Sequence, residues 1–203
     1  MNTKTLKAAE KKFLKKYPGG FGHPSMVELG KKHKMGQLEG FAKEKLSKNS
    51  FGDTNEIIAA SAKLVSRSTM ISMFEKPKFR DMVTKLPKRN KEIFAEAFYE
   101  LLHGKEKQGF DLLVDELKKE KLAKWPLATV IQAYYRPNKE VFVKPTTTKL
   151  VIEKIGLDLK YNATPSWDFY RQYRKSINEM KSKVSKNLAP NNPAFCGFLM
   201  MSL

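Results

Sequence analysis

The run Lys144-Pro145-Thr146-Thr147-Thr148-Lys149 puts three hydroxyls and two ammonium groups at what reads as the start of a helix. Unbonded amides in a first helical turn, together with the positive end of the helix dipole, favour phosphate or carboxylate. Thr146, Thr147 and Thr148 would add hydrogen bonds, and Lys144 and Lys149 charge. The chemistry expected there is anion binding, and an enzyme acting on a phosphorylated small molecule is one function it allows. The Gly-x-x-x-x-Gly-Lys frame of a phosphate-binding loop is absent. The plain structural alternative is that one threonine caps the helix while the others are solvated or buried.

Two further runs carry cations in patterns suited to a phosphate backbone. In Ser66-Arg67-Ser68-Thr69, followed by Lys76, Lys78 and Arg80, a loop and helix start combine hydroxyls with charge. Phe74 and Phe79 interleave there as candidate stacking faces, or as core residues. The second run is residues 3–16, with lysines at 4, 7, 11, 12, 15 and 16. Leu6, Ala9, Phe13 and Leu14 recur at helical spacing, which predicts a basic amphipathic helix. Lys11, Lys12, Lys15 and Lys16 are its candidate phosphate contacts, and a solvated face over a packed stripe is the alternative. A membrane surface ranks below nucleic acid because the apolar side is small and lacks tryptophan.

Other chemistry-bearing residues give weaker patterns. His23 and His33 with Glu28 between them match no metal-ligand spacing, and His103 beside Gly104 suits the end of a helix. Cys196 lies in Phe195-Cys196-Gly197-Phe198-Leu199-Met200-Met201, where apolar surroundings should raise its pKa and leave it inert. Trp167-Asp168-Phe169-Tyr170-Arg171 resembles a pocket lining, with Trp167 and Tyr170 expected in the core and Asp168 and Arg171 free to pair or face solvent. No nucleophile elbow, no pair of catalytic carboxylates and no cofactor fingerprint occurs.

Of the 203 residues, 39 are Lys or Arg and 21 Asp or Glu, a formal charge of +18. Such an excess favours association with polyanions through counterion release, so nucleic acid is the leading expected partner. An adaptor domain meeting an acidic protein is the alternative. A single cysteine excludes an internal disulfide and points to a reducing compartment, the cytoplasm. Neither a signal peptide nor a membrane span is evident, since the longest apolar stretch, Ala194 to Leu203, is too short.

The elements that must position these residues read as helices. Asp53-Thr54-Asn55-Glu56 has capping-box spacing ahead of a helix to about Val65. A helix from Pro24 to about Ser47 should be interrupted at Gly30 and Gly36, and Lys78 to Leu86 should follow Pro77. Lys88 to His103 carries a wide apolar stripe, and Phe110, Leu113, Val114 and Leu117 mark the next helix. Pro126 to Tyr135, Thr146 to Ile155 closed by Gly156, a helix capped by Ser166 reaching about Val184, and Ala194 to Met201 complete the set. Glu140-Val141-Phe142-Val143-Lys144 is the one strand-like run.

The order of helix, Val141–Val143, helix closed by Gly156, then Tyr170–Tyr173 resembles helical segments of DNA repair and restriction proteins over Lys121 to Met180. Lys124-Trp125-Pro126-Leu127 stands where their glycine-containing hairpin turn would be, so no activity or residue carries over. The fold expected is mainly α: a single irregular multi-helix bundle over 1–203 with at most one short strand or strand pair near 140–144. Residues 1–50, with twelve lysines against four glutamates, are a candidate basic helical arm.

Overall fold

The computed structural model describes residues 1–203 as eleven α-helices joined by short turns, with no strand. They are α1 (Thr3–Lys16), α2 (Pro24–His33), α3 (Met35–Lys45), α4 (Thr54–Arg67), α5 (Glu75–Lys85), α6 (Lys88–His103), α7 (Glu106–Lys119), α8 (Trp125–Tyr135), α9 (Pro145–Ile155), α10 (Trp167–Lys181) and α11 (Asn192–Ser202). The capping residue Asp53 accepts hydrogen bonds from the amides of Asn55 (2.8 Å) and Glu56 (3.2 Å). Gly156 closes α9 in the left-handed conformation, at φ 65°. The break between α2 and α3 falls at neither glycine. Lys34 makes it, at φ 51°, with its amide turned back onto the Lys31 carbonyl. Ser166 stands at the N-cap of α10, but its side chain makes no capping bond.

α6 and α7 form an antiparallel hairpin, and α4 crosses the centre against α3, α5, α6 and α8. α8 is the most deeply set helix: from Trp125 to Tyr134 only Pro126 is not buried. α11 packs on α1, α9 and α10, and α7 touches both α8 and α10. The buried apolar side chains form one cluster reaching from Leu6 to Leu199. The first helix packs on the main body, with Leu6, Ala9 and Phe13 in that core.

Gly109 sets how closely α6 and α7 approach. A Cβ there would run into the Leu101 amide and the Ala97 carbonyl, both fixed backbone. Gly109→Ala should destabilise the fold by about 1–3 kcal/mol through overpacking, read as a lower urea midpoint. An unchanged midpoint would mean that the hairpin can open without loss.

The strand-like run 140–144 pairs with no strand. Its alternating residues do not form one half-buried face, because Glu140, Val141, Phe142 and Val143 are all buried. Side chains take the place of a neighbouring strand: the Val141 amide donates to Tyr170 Oη (3.2 Å), and the Val143 amide to Thr129 Oγ1 (3.0 Å). Buried backbone donors need partners, and here two helices supply them.

Candidate functional site

α1 carries the densest cation pattern. Leu6, Ala9, Glu10 and Phe13 face the core, so Lys4, Lys7, Lys11 and Lys15 fall on the opposite side at i, i+3, i+7 and i+11, one stripe along the exposed face. Glu10 is the helix's one acid, and it is turned inward. Burial pushes its carboxyl up, but bonds from Lys7 Nζ (2.7 Å) and the Ser185 amide (2.8 Å) outweigh this and hold it below the usual carboxylate range. Lys4, Lys11 and Lys15 have no acidic partner. The other two lysines leave the stripe: Lys12 Nζ donates to the Ser202 carbonyl (3.2 Å), and Lys16 Nζ lies over the Tyr17 ring, 5.3 Å from its centroid. Exposed Lys186 stands beside the Ser185 contact and flanks the same helix.

The second basic run is less free. Arg67 and Lys78 are exposed, Lys76 is half-buried, and Arg80 pairs with its neighbour Asp81 at 2.9 Å. Asp81 and Glu120 share a shallow groove with Lys78 and Lys85, and Glu75 pairs with Lys124. Ser68 is buried against Tyr134 Oη (3.0 Å), which removes it as a phosphate ligand. The aromatics divide: Phe79 is core, whereas Phe74 and its neighbour Met73 are each 80% exposed.

The structure also divides Lys144–Lys149. Thr148 is buried beside the Tyr173 phenol without a hydrogen bond to it, and Lys149 turns over the Tyr161 ring. Thr146 is exposed at the first turn of α9. Thr147 and Lys144 line a cavity bounded by α2, α11 and the 69–70 turn. No side chain caps α9, and the amides of Thr146 and Thr147 have no partner within the protein.

The histidines serve the fold. His23 caps α2 by accepting from the Ser25 amide (3.3 Å), His33 Nδ1 meets Thr69 Oγ1 (2.7 Å), and His103 Nε2 contacts the Leu46 carbonyl (2.8 Å). Asp168 and Arg171 are exposed. The cation that matters on α10 is Arg174, which sequence reasoning passed over. Its guanidinium bonds Glu140 Oε2 (2.6 Å) and Glu106 Oε2 (2.9 Å) and lies over the rings of Trp167 and Tyr170. Arg136 and Lys139 complete a charged knot around the same two carboxylates, and Tyr170 Oη donates to Glu140 (2.8 Å). Burial alone would raise the Glu106 carboxyl, but Lys139 and Arg174 hold it below its ordinary value. Two signals marked this knot: Glu140 is an acid opening an apolar run, and Arg174 sits seven residues after Trp167 and four after Tyr170, on the buried face of α10.

No family model, no curated protein and no solved structure matches this chain. The resemblance over 121–180 to DNA repair and restriction proteins therefore carries no weight beyond its local order of elements. No helix is long and apolar enough to cross a membrane.

Proposed function

We propose that this protein binds nucleic acid through phosphate contacts made along α1, with little base readout. One observation carries the proposal: the outward lysine stripe of α1, whose helix keeps its single acid buried. Neighbouring lysines of the stripe are about 4.5–6 Å apart along the helix axis at 1.5 Å per residue, so several can meet one phosphodiester chain. The excess charge of +18 adds long-range attraction. Phosphate contacts give affinity without sequence information, which fits a surface offering lysines and few planar hydrogen-bonding groups.

Binding of a labelled mixed-sequence duplex and of a single strand, followed over a salt series, tests the proposal. Affinity should fall linearly on a log–log plot as counterion release weakens. Binding that is absent at low salt, or indifferent to salt, contradicts it.

A second function, an adaptor docking an acidic protein, is favoured by Met73 and Phe74, which project from the turn before α5 close to Lys76 and Lys78. The two separate on Phe74→Ser. That change removes the apolar contact an adaptor needs and leaves duplex binding along α1 intact.

A further inference from the structure

The cavity between α2, α9 and α11 has a volume of about 400 Å³, within the range of small-ligand sites. Methionines supply much of its wall, Met26, Met35, Met70, Met200 and Met201 among them, and thioether chains adapt to varied apolar shapes. No aspartate or glutamate lines it, and its one full cation is Lys144. That lysine lies at the same end as the first turn of α9, where the amides of Thr146 and Thr147 are free. Thr147, 6% exposed, lines the cavity as well, and its hydroxyl makes no hydrogen bond within the protein. Free amides, a threonine hydroxyl, a lysine and a helix N-terminus thus meet at one end of a chamber whose wall is mostly apolar.

Two glycines line the chamber, exposed Gly30 and half-buried Gly197. Gly30 in α2 and Gly197 in α11 both lie inside helices, where glycine is worse than alanine by about 1 kcal/mol. Neither has a positive φ, and a Cβ at either would meet nothing within 4 Å. Backbone geometry therefore does not require glycine at these positions, and both line this cavity. Filling either would occupy the space.

We infer that this cavity binds a single-chain amphipathic anion of the fatty-acid type, with its alkyl chain among the methionines and its head group at Lys144, Thr147 and the free amides of α9. The site is separate from the lysine stripe of α1, so each can fail without the other. The rest of the wall is mostly apolar, and of its other polar groups, His33, Thr69 and Asn191, the first two are bonded to each other, which disfavours a polar phosphorylated metabolite whose hydroxyls would find few partners there. An anionic head without an alkyl chain would leave most of the chamber unfilled.

Dodecanoate is the probe, with 1-dodecanol as its uncharged counterpart. Cys196, the chain's sole cysteine, lines the cavity and is half-buried, and burial pushes its thiol up to about 12, which slows its alkylation. In the wild-type protein dodecanoate should bind with one-to-one stoichiometry by calorimetry and suppress alkylation of Cys196 by N-ethylmaleimide. Lys144→Met should weaken dodecanoate about tenfold, the scale of one charge-assisted contact, and leave 1-dodecanol unchanged. Gly197→Leu should abolish binding of both. Gly30→Leu, from the opposite wall, repeats that test if the first variant is misfolded by circular dichroism. Unprotected Cys196 in the wild type, or undiminished binding when the chamber is filled, overturns the inference. So does equal weakening of both ligands by Lys144→Met, or protection of Cys196 by an amphipathic helical peptide where dodecanoate gives none.

Discussion

Arg174→Met lowers the stability of the fold by about 3–5 kcal/mol, because it leaves two carboxylates short of a partner in a site with little water. For a chain of this length that is a fall in Tm of roughly 6–20 °C. Glu140 has no exposed surface, so its charge relies on the cations packed around it. Arg136 and Lys139 remain in the variant, but at 3.3 and 3.7 Å they reach only the other oxygen of Glu140. Tyr170 also loses the cation lying over its ring. Adding Glu140→Gln to Arg174→Met should restore part of the loss, since the uncompensated charge goes with it. A thermal melt of the single and double variants checks both statements; a single variant as stable as the wild type would mean that the knot is solvated. The acid limb should move as well. Glu106 is held below its ordinary value, so its stabilising contribution is present above the unfolded carboxylate range and lost as pH falls through the folded value. Removing Arg174 takes away one of the groups that lower it, so the acid-linked loss from Glu106 should become smaller and be complete at a higher pH.

Reversing the stripe on α1 has the larger effect on binding. Lys4→Glu, Lys11→Glu and Lys15→Glu together should weaken duplex binding at low salt by about a hundredfold or more, as three attractive phosphate contacts become repulsive. The three side chains are exposed and have no acidic partner, so the fold should not change. The same reversal at Lys76, Lys78 and Arg80 should do less, because Asp81, Glu75 and Glu120 already offset charge around them. Fluorescence anisotropy with one duplex compares the two sets. Equal losses would assign binding to the diffuse charge of the whole surface rather than to α1.

Much of the helical order was legible in the sequence, because it rests on local chemistry. The apolar stripe of Lys88–His103 gives both ends of α6, and the lysine-rich amphipathic pattern of 3–16 gives α1. Legibility ended where long-range partners decide. Glu140–Val143 has strand composition, yet whether an extended segment finds a strand or the side chains of Thr129 and Tyr170 depends on what packs against it. The break at Lys34 is similar: the neighbouring glycines advertise flexibility, while the turn is taken by a lysine in the left-handed region. Of the run Lys144–Lys149, the helix start and its free amides were readable. That Thr147 would line a cavity while Lys149 turned over Tyr161 was not, since one turn of helix sends successive side chains to different faces. The cavity itself is assembled from segments distant in sequence and leaves no local pattern.

If the lysines of α1 contact phosphates directly, the salt dependence of binding counts those contacts. The decisive measurement compares the log–log salt slope of the wild type with that of Lys4→Gln/Lys11→Gln/Lys15→Gln on the same duplex. Each phosphate contact on B-form DNA contributes about 0.9 to the slope, so losing three should flatten it by about 2.7. A slope that is unchanged in the variant would contradict direct contact by α1, even if its affinity were lower.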